Sequence, residues 1–151
     1  MKQEDKDLLL RDLCARLPYG VKMNHIADTE NNPITLVGIA KTMITLESSA
    51  GYGTSDIEDY IPYLFPISSM TEEQKKEYYS LASDITIKPG QGSCLGIKIH
   101  CIKLGISDNP HEEVWNYIDL DALDWLNKNH FDYRGLIEKG LAIDATNLNI
   151  Y

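Results

Sequence analysis

The sequence has no long apolar run and few cysteines, and each of these absences excludes a class of protein. The apolar stretches, such as residues 34–40 with a threonine inside, fall far short of the roughly 20 residues that a membrane-spanning helix requires. Cys14, Cys94 and Cys101 are an odd number at spacings that fit no disulfide framework. The first residues, MKQEDKDLLLRDL, contain no apolar core before a cleavage site. We therefore expect a cytoplasmic protein without a membrane span.

Basic residues are also scarce. The 151 residues include 14 Lys and Arg against 23 Asp and Glu, which gives a formal net charge of −9. Lys and Arg nowhere form the run or stripe that neutralises a phosphate backbone, so the composition argues against direct nucleic-acid binding. An acidic surface keeps a protein soluble or steers it toward a basic partner.

The chain lacks the residue patterns of common catalytic and metal sites. It contains no Cys-x-x-Cys or His-x-x-x-His pair, and neighbours on a strand such as His100 and Cys101 point to opposite faces. Residues 90–96 are rich in glycine, but no Gly-Lys-Ser/Thr and no helical pattern follows them, as a phosphate loop requires. We therefore predict no metal ion, no cofactor and no catalytic constellation.

The first half of the chain alternates helical and β-type patterns, as in an α+β domain. Residues 4–17 predict an amphipathic N-terminal helix whose buried stripe is Leu9, Leu10, Leu13, Cys14 and Leu17. Residues 20–26, 34–40 and 41–47 predict a small antiparallel meander of the SH3-like kind. We expect a loop over residues 48–54. Residues 56–62 are predicted as a short helical turn or edge segment, because Pro62 and Pro66 oppose a central strand.

The second half continues the same single domain, predicted over residues 1–151. Thr71 with Gln74 is a capping-box signature for a second helix that reaches residue 83, with a face of Tyr78, Leu81 and Ala82. Apolar and polar residues alternate over 95–102, which predicts a β-hairpin insertion within the variable residues 84–119. A C-terminal helix is predicted over about residues 121–129 and an extended tail over residues 135–151.

Tyrosine is the one compositional excess, with nine Tyr against two Phe. Its rigid ring and polar tip suit interfaces and half-buried ligand sites. Arg134 lies in the stretch HFDYRGLI, where a planar guanidinium could clamp a phosphate while Phe131 or Tyr133 stacks on a base. Tyr52, between two glycines, is a further candidate contact.

A structural role for Arg134 is the alternative. Asp132 or Asp124 could pair with it, and an arginine that packs on Tyr133 while it caps helix carbonyls is a common structural device. The sequence leaves both roles open.

Three stretches carry a resemblance to a known family. LCARLPYGVK (residues 13–22), PYLFPISSMTEE (62–73) and DWLNKNHFDYRGLIEKGLAIDA (124–145) resemble a widespread set of small proteins encoded by phages and prophages of gut anaerobic bacteria. The resemblance implies a phage protein in the host cytosol and identifies no functional residues. Phage accessory proteins of this size often block a defence protein or sequester the nucleotide messenger that activates it.

The leading hypothesis is a non-enzymatic phage accessory protein that binds and sequesters a small nucleotide-type signal through Arg134, Tyr133, Phe131 and Tyr52. An acidic antagonist of a host defence protein is the alternative, and a hydrolase of the same signals is a third class. The sequence does not decide whether the protein forms a homo-oligomer.

Overall fold

The computed structural model describes residues 1–30, 32–81, 101–102, 116–117 and 120–151. These residues contain both helices and strands, which confirms the α+β class. The helices are α1 (Gln3–Arg16), α2 (Glu72–Leu81) and α3 (Leu120–Lys128). The strands are β1 (Lys22–His25), β2 (Ile34–Ala40), β3 (Met43–Ser48), β4 (Gly51–Asp56), β5 (Tyr60–Pro66), β6 (Cys101–Ile102), β7 (Asn116–Tyr117), β8 (Phe131–Asp132) and β9 (Ile143–Asp144).

The chain divides into two compact units. The sheet unit comprises residues 1–69 and 127–151, and the inserted unit comprises residues 70–126. The hairpin predicted from residues 85–87, the turn 89–92 and residues 95–102 lies outside the described residues except for residues 101–102. These two residues form β6, which pairs in antiparallel fashion with β7. No helix in the described ranges is both long and apolar enough to cross a membrane.

Helix α1 begins with acidic residues in its first turn and carries Arg16 in its last, which complements the helix dipole. It gives way to a single 3₁₀ turn, Leu17–Tyr19, and the chain then reverses at Gly20 with φ 64°. The predicted buried stripe is confirmed at Leu9 and Leu13, while Leu10 and Leu17 pack against the core half-buried. It is wrong at Cys14, which is exposed. Asp12 and Arg16 are buried as well, because they bind each other and so both polar side chains can enter the core.

The sheet unit contains one mixed sheet with the strand order β4-β3-β2-β1-β5-β8, and β9 also pairs with β5. Strands β1 to β4 pair in antiparallel fashion with their neighbours along the chain, whereas β8 and β9 run parallel to β5. The predicted loop over residues 48–54 is wrong, because Gly51–Asp56 pairs along its whole length with β3. The predicted extended tail contains β9 and a series of turns.

The short helical turn predicted within residues 56–62 is confirmed, because Ile57–Asp59 form a 3₁₀ turn. The alternative interpretation of this stretch as an edge segment is wrong. Strand β5 lies inside the strand order, between β1 and β8, and it also pairs with β9. Its two prolines, which have no N–H to donate, are tolerated because each lies at the end of a stretch of strand pairing. Pro62 is the last residue of β5 paired with β1, and Pro66 is the last one paired with β8.

The core of the sheet unit lies between α1, the sheet and the C-terminal segment. It contains Leu9, Leu13, Val21, Met23, Leu36, Ile44, Leu46, Ile57, Leu64, Leu136, Leu141 and Ala142. Leu136 and Leu141 come from the C-terminal segment, which therefore completes the core that the first 69 residues begin.

Helix α2 opens with the predicted capping box. The Thr71 hydroxyl accepts a hydrogen bond from the Gln74 backbone N–H at 3.2 Å, and the Gln74 side chain accepts one from the Thr71 N–H at 2.9 Å. Tyr78 is buried as predicted, and Ala82 lies outside the described residues.

We expect Thr71→Ala to lower the free energy of unfolding by about 1 kcal/mol, because the Gln74 N–H loses its hydroxyl acceptor. Thr71→Ser, which keeps the hydroxyl, is the matched control and should retain most of that stability. Urea unfolding followed by circular dichroism measures both. Equal losses for the two variants would contradict a capping role.

Candidate functional site

The strongest concentration of buried polar groups in the described chain lies between α1 and the segment that follows α3. Five side chains form it, and we call them the arginine cluster: Asp12, Arg16, Asn127, Tyr133 and Arg134. Helix α1 places Asp12 and Arg16 on one face, because residues four positions apart are neighbours on a helix. The segment after β8 brings Tyr133 and Arg134 to the same place.

Asp12 and Arg16 form a two-point ion pair. Arg16 Nε lies 2.7 Å from Asp12 Oδ2, and Arg16 Nη2 lies 3.1 Å from Asp12 Oδ1. Arg16 Nη2 also donates to the Phe131 carbonyl oxygen at 2.8 Å. Both charged side chains are fully buried. The pair therefore ties α1 to the start of β8 within the sheet unit.

Arg134 adds a second positive charge to the same carboxylate. Its Nε lies 3.2 Å from Asp12 Oδ1, in an ion pair whose N–H is not aligned for a hydrogen bond. Its Nη2 donates to the Tyr133 hydroxyl at 2.9 Å, and that hydroxyl donates to Asn127 Oδ1 at 3.0 Å. Burial raises the pKa of Tyr133, so the phenol keeps its proton at neutral pH.

The Tyr133 ring is shared by both guanidinium groups. The Arg134 guanidinium carbon lies 4.8 Å from the ring centroid, and that of Arg16 lies 5.4 Å from it. Both distances fall within the range of cation–π attraction. The ring thus helps to hold two like charges close together.

The charges of the arginine cluster do not balance, since two guanidinium groups face one carboxylate. Arg16 Nη1 is buried without a hydrogen-bond partner, and 15% of the Arg134 side chain remains exposed. The Asp132 carboxylate forms no ion pair with either guanidinium group within the described residues, and its oxygens accept hydrogen bonds from the Leu136 N–H at 2.9 Å and the Ile137 N–H at 2.8 Å. The cluster therefore carries one net positive charge in a chain whose net charge is −9.

His130 borders this region and is neutral. Burial, with a smaller contribution from the charges of Arg16 and Lys22, lowers the pKa of His130 to about 4. Its ring stacks on Tyr151 with centroids 4.0 Å apart. The Tyr151 hydroxyl donates to the Tyr63 carbonyl oxygen at 2.8 Å and accepts from the Lys22 N–H at 3.1 Å. This stack fastens the last residues to β1 and β5.

The structure brings together two of the four predicted contact residues, Tyr133 and Arg134. The Phe131 side chain is buried against Phe65, with ring centroids 6.2 Å apart, and it is the Phe131 carbonyl that reaches the cluster. Tyr52 is 74% exposed on β4, at the opposite end of the strand order from β8.

Sequence reasoning missed Asp12, Arg16 and Asn127. The signal for the first two was present, because Asp12 and Arg16 have the i, i+4 spacing of a helical ion pair. Apolar periodicity alone assigned them to the solvent face.

No group of three or more His, Cys, Asp or Glu side chains within the described ranges could hold a metal ion. The donors of the arginine cluster instead suit an anion, because guanidinium groups offer several N–H donors in a planar arrangement. Comparison with family models, curated proteins and solved structures gives no significant match.

Proposed function

We propose that the protein is a non-enzymatic binding protein that holds a small anionic, nucleotide-type ligand at the arginine cluster. The observation that carries this proposal is the charge imbalance, with Arg16 and Arg134 facing the single carboxylate of Asp12. A buried excess of positive charge is unfavourable until a counter-charge arrives, so an anion gains free energy here that a neutral molecule does not.

Arg134 is the group through which a ligand first makes contact. Its side chain is partly exposed, and its ion pair with Asp12 lacks an aligned hydrogen bond, so the guanidinium is less firmly held than that of Arg16. Arg16 stays paired with Asp12 through two short contacts. Tyr133 offers a hydroxyl donor and a ring face beside the same guanidinium.

In the phage context that the sequence resemblance implies, such binding would counter host defence by sequestering a nucleotide-derived signal in the host cytosol. The antiparallel order β4-β3-β2-β1-β5 supports a further proposal, that these strands form the SH3-like partial barrel. An acidic antagonist of a host defence protein is the second candidate, supported by the net charge of −9.

Isothermal titration against a panel of cyclic nucleotides and ADP-ribose-type compounds tests ligand binding. We expect heat from at least one compound, and Arg134→Gln should weaken that affinity about 10- to 100-fold, the worth of one or two charge-assisted hydrogen bonds. The variant should fold, because it leaves Asp12 and Arg16 as a balanced pair. Arg11→Gln, at an exposed position of α1, is the matched control. The absence of heat from every compound would reject the proposal.

A second experiment distinguishes a protein that sequesters the ligand from one that hydrolyses it. The protein is incubated with the compound that binds, freed of excess ligand and denatured, and the released molecule is analysed by chromatography. Release of the intact compound in stoichiometric amount supports sequestration. An altered compound indicates a hydrolase. Co-purification of a host protein that dissociates as salt is raised favours the antagonist.

A further inference from the structure

We propose that strand β4 and the groove beside it bind an extended, basic segment of a partner protein, which joins the sheet as an additional strand. This surface is distinct from the arginine cluster. Strands β4 and β8 stand at opposite ends of the strand order, and the two surfaces have opposite charge.

The groove arises because the face of the sheet that carries Leu46 on β3 carries two glycines on the neighbouring strand β4. Leu46 pairs with Gly53 and Ser48 with Gly51, so these residues share one face of the sheet. Leu46 belongs to the core. A Cβ atom added to Gly51 or Gly53 would meet nothing within 4 Å. The space that larger side chains would fill on β4 is therefore open.

The groove has a volume of about 180 Å³, which suits one or two apolar side chains of a bound segment. Its lining includes Ile34, Leu46, Gly51, Gly53, Thr54 and Tyr60. Ile34, Leu46 and Tyr60 provide apolar surface, while the Thr54 hydroxyl can bond to a backbone. The mixture fits an extended peptide better than it fits a purely apolar ligand.

The edge of β4 is open to a new strand. In the described part of the chain β4 pairs with β3 alone, and residues 51–54 are exposed. Edge strands are usually protected by lysine, proline or a bulge, since their free N–H and C=O groups recruit other strands. Residues 51–55 contain neither a charge nor a proline. Proteins that bind an extended peptide as an additional strand use an exposed sheet edge of this kind.

Charge indicates which kind of segment binds. Residues 43–60, which form β3, β4 and the start of β5, contain four acidic side chains and no Lys, Arg or His. The four are Glu47, Asp56, Glu58 and Asp59. Lys6 binds Glu58 at 2.9 Å and lies 3.7 Å from Asp56, and Asp59 accepts a hydrogen bond from Ser55 in the groove. The surface stays acidic, so a basic strand with alternating apolar residues complements it.

A labelled synthetic peptide, Lys-Val-Lys-Phe-Lys-Val-Lys, tests the proposal by fluorescence anisotropy against its Glu-Val-Glu-Phe-Glu-Val-Glu counterpart. We expect the basic peptide to bind, the acidic one to fail, and affinity to fall as NaCl is raised from about 50 to about 300 mM. Gly53→Val fills the groove without a clash and should weaken binding by at least about tenfold. Thr45→Val is the control that should retain binding, because Thr45 lies on β3 opposite Thr54 and not in the groove lining.

Three results would overturn the proposal. The first is equal binding of both peptides or of neither, and the second is unchanged binding by Gly53→Val. The third is a concentration-dependent dimer in analytical ultracentrifugation that Gly53→Val abolishes, which would make a second copy of this chain the occupant. Unfolding curves of Gly53→Val should match the wild type, so that lost binding is not lost folding.

Discussion

Asp12→Asn will destabilise the protein by about 3–5 kcal/mol, because it leaves the buried Arg16 guanidinium without its counter-charge. Asparagine has nearly the same shape as aspartate, so the loss reports charge rather than a cavity. Arg134 loses its ion pair as well, but it keeps partial access to water. Urea unfolding at neutral pH measures the change.

The double variant Asp12→Leu with Arg16→Met is the control for that result. Replacing both members of a buried pair with apolar residues is often neutral or stabilising, whereas removing one member is not. We therefore expect the double variant to be more stable than Asp12→Asn, although the Phe131 carbonyl loses a donor. A loss below about 1 kcal/mol for Asp12→Asn would contradict the structural importance of the pair.

Asp12→Asn also tests the proposed anion site. It raises the net charge of the arginine cluster from one to two positive charges, so inorganic phosphate should stabilise Asp12→Asn more than it stabilises the wild type. Chloride at matched ionic strength controls for screening. Equal stabilisation of both proteins by phosphate would argue against anion binding at this place.

Acidification will remove roughly 3 kcal/mol of stability through His130 alone. Burial, followed by the charges of Arg16 and Lys22, lowers the pKa of His130 from 6.5 to about 4 in the folded state. The unfolded chain therefore binds a proton first as pH falls. Stability from this group is fully present above about pH 6.5 and is lost progressively down to about pH 4.

His130→Asn isolates this contribution from the carboxylates that titrate in the same range. His130 has φ 58°, a conformation that asparagine adopts more readily than most residues, and asparagine does not titrate. The variant should lose less stability than the wild type between pH 7 and pH 4. Parallel stability curves for the two proteins, measured by thermal and urea unfolding, would rule out His130 as the titrating group.

Local patterns predicted several elements well. Helix α1, strands β2 and β3 and the capping box at Thr71 follow from periodicity and from neighbours in the sequence, so no distant contact was needed to find them. Strand β4 escaped prediction because glycine and serine disfavour strands, and its pairing depends on β3.

The remaining differences come from contacts between residues far apart in the sequence. Pro62 is tolerated because the pairing of β5 with β1 ends at this residue, and no local pattern reveals where that pairing ends. The pattern placed Asp12 on the solvent face, whereas Arg134, which is distant in the sequence, forms an ion pair with it in the interior. Of the candidate contacts, Tyr133 and Arg134 came together because they are adjacent in the chain.

The sheet unit is built from two stretches of the chain, residues 1–69 and 127–151, which are separated by the inserted unit. This separation affects how the protein folds during its synthesis. Lys22 bonds to Tyr151 across 129 positions, and Arg16 bonds to Phe131 across 115. The first 69 residues must wait on the ribosome until residues 70–126 have been made before β8 and β9 can join β5. Closure entropy rises by only about 0.6 kcal/mol for each doubling of a loop. The inserted unit can therefore become longer or be exchanged during evolution at little cost in stability. A longer inserted unit delays completion of the sheet, so the nascent chain is exposed to proteases for longer.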